Sequence, residues 1–483
     1  MIAIKYKNTV LIALLFCFDV ALSAAGYLLA GCILNDFTVL SGSINRYILI
    51  FIILLVFFLI MYDEYNAKTD KVFNTVVSTV LSVIFASICS LFVPVLLGWE
   101  ALGRPMFFLS SFIVLVFVGF WRTIGAILIK KFGEKRKCLI IESVNNTSRL
   151  ARKIKYASND GREAYYYLID ETNEEEMRIL IEEKIKDYDL IFISPSIPDS
   201  VSSRIMNKAF VLEKDISILA DLDSVSTLKG VIYQLDDTPV IEKKGINMSK
   251  LQAFIKRTFD IIFAVVMGIL AIPAFLICAV AIKLDSKGPV IYKQERYTIH
   301  KKRFTVYKFR TMIENAEKSG AQLATEDDPR ITKVGKFLRA TRLDELPQLW
   351  NIFTGAMSVV GPRPERPVFA DYFSKTVKDY DMRFCVKAGL TGYAQVYGKY
   401  NTRVSDKILM DIIYAINYSL LLDIKLILLT GKTMFVKSSA EGIDEEKDKI
   451  LTSKENEEKR REETMKQLGV SHDNISNNSG IQL

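Results

Sequence analysis

The stretch DIIFAVVMGILAIPAFLICAVAIKL, Asp260 to Leu284, decides how this chain is built. From Ile261 to Leu284 it holds 24 residues with no charge before Lys283, long enough to cross a hydrocarbon core of about 30 Å. It is entered through Lys256, Arg257 and Asp260 and left through Lys283 and Lys287. If it crossed, everything after it would lie on the far side of the membrane. Basic residues on both flanks argue for a return to the same face. Pro273 sits near the middle, where it removes a helix hydrogen bond and clashes one turn back. The expectation is a re-entrant helix over 257–284, broken at Pro273. A plain fifth span with a tolerated proline is the alternative.

Upstream lie four more apolar stretches, roughly 9–34, 47–62, 72–97 and 106–129. Each reads as a membrane helix, giving a four-helix bundle over 1–134. A cleaved signal peptide is the other reading of the first, but no clear small-residue cleavage site follows it. Lys5 and Lys7, Lys68 and Lys71, and the run Lys130 to Lys137 mark one side of the membrane, whereas the other loops carry only Arg46 and Arg104. The positive-inside rule puts both ends of the bundle in the cytoplasm. The bulk numbers agree with a membrane protein. Of 483 residues, 50% are hydrophobic, and mean hydropathy is positive. The net charge of +8 suits an anionic membrane face or phosphorylated substrates and is too scattered to argue for nucleic acid. Only two histidines, His300 and His472, are present, which argues against a histidine base or a His-rich metal site. The six cysteines show no C-x-x-C spacing and read as small buried hydrophobes.

Residues 135–245 read as a soluble Rossmann-like α/β domain. Strands are expected at Cys138–Ile141, Tyr165–Ile169 and Leu190–Ile193, with helices over 147–158 and Glu174–Lys186, a parallel-sheet pattern. The first strand runs into Glu142-Ser143-Val144-Asn145-Asn146 without the glycines that let a pyrophosphate approach the backbone. A structural or regulatory role is favoured over dinucleotide binding. Residues 246–437 form a second, α-rich region dense in arginine and lysine. Its end, Ile412 to Phe435, reads as an interfacial amphipathic helix because Asp423, Lys425 and Lys432 interrupt the apolar runs. The stretch 438–483 is charged, then Ser/Asn-rich, and reads as a disordered tail.

The chemistry concentrates in Arg339-Ala-Thr-Arg342-Leu-Asp344-Glu345-Leu346-Pro347-Gln348-Leu349-Trp350-Asn351. Pro347 suits a first helical turn, so a helix is expected to start near Asp344. Asp344 could be its N-cap and Glu345 an ordinary first-turn acid. Equally, the free N–H groups there could hold a phosphate, and two adjacent carboxylates could hold Mg²⁺ with one oxygen left as a nucleophile. The surroundings favour phosphate: Arg296, Lys308, Arg310, Arg330, Arg363, Arg366 and Arg383 recur in short loops, and Gly361-Pro-Arg-Pro364-Glu-Arg366 stiffens its chain around a basic side chain. Gly389-Leu-Thr-Gly392, with Gln395 after it, is a second glycine-punctuated loop.

Lys256-Arg257-x-x-Asp260, Lys-Phe-Arg-Thr-Met (308–312), Leu-Asp-Glu-Leu-Pro-Gln-Leu (343–349), Met-Ser-Val-Val-Gly-Pro-Arg-Pro-Glu (357–365) and Gly-Leu-Thr-Gly (389–392) jointly resemble the bacterial polyprenyl-phosphate sugar-1-phosphate transferases. The bundle and middle domain resemble the large, undecaprenyl-phosphate-dependent branch of that family. The resemblance implies an inner-membrane enzyme with a cytoplasmic catalytic domain. Its nucleophile, Asp344, would attack a nucleotide sugar, expected to be UDP-linked, and expel UMP. The phosphosugar-aspartate would then pass its sugar-1-phosphate to undecaprenyl phosphate, priming capsule, exopolysaccharide or O-antigen synthesis. Glu345 completes the dyad and helps bind Mg²⁺. Lys256, Arg257, Arg296, Lys308, Arg310, Arg339, Arg363, Arg366, Arg383 and Gln395 are the expected substrate-binding residues. Asp260, Pro273, Pro347 and Pro364 are the expected structural ones. Two positions depart from the family pattern. Ile272 stands where serine often precedes the helix-breaking proline, and Arg342 where serine often precedes Leu-Asp-Glu. No residue pattern selects glucose, galactose or an N-acetylated sugar. A homodimer stays open, and a non-catalytic scaffold in polysaccharide assembly is the alternative.

Overall fold

The computed structural model describes residues 2–34, 42–65, 72–99, 102–132, 136–143, 162–169, 174–195, 197–227, 230–235, 238–243, 245–246, 248–313, 328–398, 402–435 and 481–482. Contacts divide the chain into two compact units, and the second begins at Asp221.

The first unit opens with four helices, α1 (Ile2–Leu34), α2 (Gly42–Met61), α3 (Val72–Leu97) and α4 (Arg104–Phe132). Of these α1, α3 and α4 are long and apolar enough to cross a membrane, whereas the apolar part of α2, Arg46–Met61, is shorter. Two charges inside the apolar helices find each other. Asp19 of α1 and Arg122 of α4 form a buried ion pair. Tyr65 Oη donates to the same carboxylate at 2.8 Å, and Arg122 also donates to Glu64 O at 2.9 Å. A charge in an apolar helix persists only with such partners.

The same unit holds a parallel sheet, β1 (Arg136–Ser143), β2 (Arg162–Ile169), β3 (Leu190–Ile193) and β4 (Asp215–Ile218), ordered β2-β1-β3-β4. The three expected strands are present, and β4 adds a fourth. Leu139, Ile141, Ile191 and Ile193 point one way from alternate positions and bury against Met177, Leu180, Ile205 and Ala209 of the covering helices. The helix expected over Glu174–Lys186 runs as α-helix to Ile179 and then as a π turn, Leu180–Lys184. The expected helix at 147–158 lies outside the described residues. So does most of the tail, but Ile481–Gln482 (β11) pair antiparallel with β2. A tail read throughout as disordered therefore contributes a strand where β2 leaves its edge groups unpaired.

In the second unit Leu222 and Val225 pack with Tyr297, Ala370, Tyr380 and Phe384, so the division falls at Asp221 rather than at 245. A hairpin, β5 (Val231–Leu235) with β6 (Thr238–Glu242), precedes the long helix Lys250–Asp285. Ser249 and Gln252 start that helix with a reciprocal capping box. It is also long and apolar enough to cross a membrane. The expected break at Pro273 is absent: the helix continues through it. A proline deletes one N–H and crowds one carbonyl, which a helix can absorb by bending. Both ends of the helix are held by the same unit. Near its start Asp260 accepts from Ser358 Oγ and Val359 N at 3.0 Å each. Near its end Cys278 and Ile282 pack with Phe309 and Leu338. The apolar middle, including Ile269, Leu270, Ile272 and Leu276, is exposed.

The hairpin of β7 (Ile291–Tyr297) and β8 (Arg303–Phe309), and a short parallel pair, β9 (Ser358–Val360) and β10 (Gly389–Thr391), complete the framework. The expected interfacial helix at 412–435 is instead two core helices, Val404–Ile416 and Leu420–Phe435. Ile408, Ile412, Tyr414 and Leu426 are buried, and Asp423, which had marked the segment as amphipathic, is buried against Lys256 Nζ at 2.7 Å.

Candidate active site

The helix Lys333–Ala340 begins at Thr332, whose Oγ1 accepts from Gly335 N at 3.0 Å. Arg342 adopts a left-handed conformation (φ 58°) and turns the chain into a 3₁₀ turn, Leu343–Glu345. The next helix is Gln348–Thr354, preceded by Pro347. A helix starting at Asp344 is therefore not what forms, and no side chain caps the helix that does. The N–H groups of Glu345, Leu346, Leu349 and Trp350 already bond the carbonyls of Arg342, Leu343, Leu346 and Pro347. Both helix-based readings of Asp344, as N-cap and as part of a helix-terminal phosphate cradle, lose their basis. The helix ends at Gly355 (φ 87°), and Arg257 donates to the carbonyls of Ile352 and Phe353 at 2.7 Å each. A Cβ at Gly355 would lie 3.1 Å from the Arg257 guanidinium carbon.

The dyad that this turn presents is electrically asymmetric. Glu345 Oε1 accepts from Lys308 Nζ at 3.0 Å and from Arg363 Nη2 at 3.3 Å. Burial alone would raise the Glu345 carboxyl, but Lys308, Arg363 and Arg342 outweigh it and hold it at about 2. Among the described residues Asp344 has no such bond. Burial and the adjacent Glu345 charge push its carboxyl above the ordinary range, against the pull of Lys308, Arg339 and Arg342. One carboxylate is thus pinned and firmly ionised, while its neighbour is more basic and, among the described residues, unclaimed by a salt bridge, a combination suited to nucleophilic attack.

Side chains of the surrounding elements set this geometry. Asn351, facing β8 from the helix Gln348–Thr354, accepts from Tyr307 N at 3.0 Å and donates to Thr305 O at 2.7 Å, which fixes Lys308 one residue further on. Arg339 Nε donates to Thr311 Oγ1 at 2.9 Å. The loop Gly361–Arg366 lies directly on the segment before and through β10. A Cβ on Gly389 would sit 2.0 Å from Gly361 N, and one on Gly392 2.1 Å from Gly361 O. Glycine in both motifs serves this backbone contact.

The predicted binding residues divide. Lys308 and Arg363 meet at Glu345, and Arg339 exerts its field on Asp344. Arg296 lies beside Arg363 and Arg366, bonds Pro364 O at 3.3 Å, and is held down to about 10 by burial. Arg366 stands over the Phe369 ring. The rest are engaged elsewhere. Lys256 is buried against Asp423 and Tyr414. Arg257 caps a helix end. Arg310 is buried and donates to Ser286 O and Oγ at 2.8 Å, at the end of the long helix. Arg383 is buried against Asp411, and Gln395 donates to Leu390 O at 3.0 Å. Asp260 accepts from Ser358 and Val359, and the Pro364 carbonyl accepts from Arg296. Sequence reasoning passed over Asn351 and Asp411, whose roles depend on contacts distant in sequence.

Among the described residues no group of three or more acids, histidines or cysteines gathers to hold a metal. Two carboxylates nevertheless fit Mg²⁺, which commonly takes one or two together with substrate phosphates and water.

Apolar helices long enough to cross a membrane, together with a carboxylate dyad ringed by cations, mark the chain as a membrane protein. The chain belongs to the bacterial sugar transferase family, whose model matches residues 251–437. It is 43% identical over 189 residues to the UDP-N-acetylgalactosamine-undecaprenyl-phosphate N-acetylgalactosaminephosphotransferase of Aeromonas hydrophila, covering 38% of this chain and 45% of that one. It is 35% identical to the UDP-glucose:undecaprenyl-phosphate glucose-1-phosphate transferase of Escherichia coli, covering 47% and 50%. With the protein of that same name in Caulobacter vibrioides identity is 37%, covering 38% and 71%. The chain thus spans about half the length of the first two.

Proposed function

We propose that this protein transfers a sugar-1-phosphate from a UDP-sugar to undecaprenyl phosphate through a phosphosugar-aspartate, releasing UMP and priming synthesis of a surface polysaccharide. The observation that carries this reading is the asymmetry of the dyad: Glu345 bound by Lys308 and Arg363, and Asp344 beside it, without a salt bridge among the described residues and more basic than an ordinary carboxylate. Asp344 attacks the phosphorus that carries the sugar. A P–O bond to the carboxylate forms, the bridging P–O bond breaks, and UMP leaves with the electron pair. An oxygen of undecaprenyl phosphate then attacks the same phosphorus and returns Asp344 to a free carboxylate. Splitting one displacement into two lets one site serve a soluble and a lipid substrate in turn. Arg339, Arg363 and Arg296 bind and orient the diphosphate, and Lys308 keeps Glu345 ionised. Asp344 and Glu345 would hold Mg²⁺ with the diphosphate, and the ion would supply neutralisation of phosphate charge.

UDP-sugars are cytoplasmic, so this reading puts the dyad on the cytoplasmic face of a bacterial inner membrane. The long helix then enters and leaves through one face. Its two ends held on one unit, with an exposed apolar middle around Pro273, support that course. Incubating the purified chain with undecaprenyl phosphate and a panel of UDP-sugars tests the function. UMP release with one sugar is expected; UDP as the first nucleotide product, or no nucleotide released with any sugar, would overturn the reading.

A further inference from the structure

The loop Gly361–Arg366 contains Pro362 and Pro364 and is followed by Pro367. Prolines supply carbonyls but no N–H groups, so such a loop cannot hold its shape through its own backbone bonds. Its carbonyls are instead taken from outside. Pro362 O accepts from Gly389 N at 2.8 Å and Glu365 O from Tyr297 N at 3.0 Å. Pro364 O accepts from Arg296 at 3.3 Å. Arg363 O accepts from Arg383 Nη2 at 3.1 Å. The last bond falls on the residue whose side chain meets Glu345.

Arg383 is buried in the 3₁₀ segment Tyr380–Cys385, and its Nη1 donates to Tyr380 Oη at 3.1 Å. Its counter-charge is Asp411, on the helix Val404–Ile416, 3.0 Å from Nη2 and 1% exposed. A buried ion pair is a poor source of stability, because desolvation cancels much of its attraction. Here it neutralises a buried guanidinium whose Nη2 donates to the Arg363 carbonyl, where that side chain begins. We propose that Asp411 is a positioning residue for the transfer reaction: through Arg383 it fixes the Arg363 backbone, and so the meeting of Arg363 with Glu345.

The inference rests on the function proposed above, and two measurements keep the two separable. The first is a double-mutant cycle of Asp411→Asn and Arg363→Lys in the full-length chain, read as kcat and KM for the UDP-sugar that the wild type turns over. Asp411→Asn is expected to lower kcat about 10- to 100-fold with little change in KM. In the Arg363→Lys background it should cost less than about 3-fold, because the positioned group is already altered. Equal losses in both backgrounds would make Asp411 a merely structural residue and overturn the proposal. The second needs no turnover. Hydrogen exchange of the peptide covering Gly361–Asp371 should speed up in Asp411→Asn while β7 and β8 stay protected. No local change overturns the proposal even if wild-type activity is absent. Should Asp411→Asn fail to fold, Arg383→Lys, which keeps the charge but has a single donor head, replaces it in both measurements.

Discussion

Lys308 and Arg363 converge on one oxygen, Oε1 of Glu345, from strand β8 and from the loop after β9, at 3.0 and 3.3 Å. Two cations on one carboxylate oxygen divide the labour of two adjacent acids. Glu345 becomes a fixed charge, and in the proposed mechanism Asp344 is left to react.

Replacing Lys308 by Met should undo that division. The Glu345 pKa lies below its ordinary 4.5, at about 2. Its contribution to stability is therefore fully present above about 4.5 and is lost as pH falls from 4.5 towards 2. In Lys308→Met the folded value moves up towards 4.5, so this pH-dependent loss should shrink, visible as a flatter acid limb in melting temperature against pH between 4.5 and 2. Turnover at neutral pH should fall about 10²- to 10³-fold, the usual cost of removing one charge-stabilising donor. An unchanged acid profile would contradict the pairing.

Asp344→Asn should have opposite effects on activity and stability. Turnover is expected to fall by at least about 10³-fold. Asp344 has a pKa raised by burial and by the Glu345 charge. Its ionised form is disfavoured in the folded chain, so its contribution declines as pH rises through the folded value. A neutral amide of the same shape should therefore raise the melting temperature at pH 7.5, by about 2–4 °C for roughly 1 kcal/mol.

The same sign governs the pH–rate profile. Attack needs ionised Asp344, so kcat/KM should climb on an acid limb whose midpoint lies above 3.8. Arg339 lowers that carboxyl's pKa, so Arg339→Gln should move the midpoint to higher pH as well as weaken substrate binding. A midpoint shifted to lower pH would contradict the placement of Arg339.

Gly389→Ala tests the framework rather than the chemistry. A Cβ there would meet Gly361 N at 2.0 Å and Thr391 O at 2.5 Å, both backbone atoms that cannot swing aside. A loss of at least about 3 kcal/mol is expected by denaturant unfolding of the second unit.

The apolar stretches, three of the sheet strands and the residues of the dyad could all be read along the chain, because each is a local pattern. What could not be read depends on partners distant in sequence. Asp423 looked like the polar face of an interfacial helix until Lys256 was found beside it. Arg257, Arg310 and Arg383 looked like phosphate ligands because guanidinium groups suit both jobs. In the fold they instead hold carbonyls of Phe353, Ser286 and Arg363. Pro273 marks a place where a helix can bend, and a one-residue signal does not fix whether its hydrogen bonding stops. Asp19 and Arg122 went unremarked because each looked like a lone charge in an apolar run, and they are legible only as a pair.

In the proposed mechanism Asp344 carries the phosphosugar between the two substrates. Incubating the chain with a UDP-sugar labelled in the sugar-linked phosphate, without undecaprenyl phosphate, and mapping the label by peptide mass spectrometry tests it most directly. About one equivalent of UMP per chain and a phosphosugar on the peptide containing Asp344, both absent in Asp344→Asn and discharged by adding undecaprenyl phosphate, is the predicted result. UMP release that requires undecaprenyl phosphate, with no label on the protein, would contradict it.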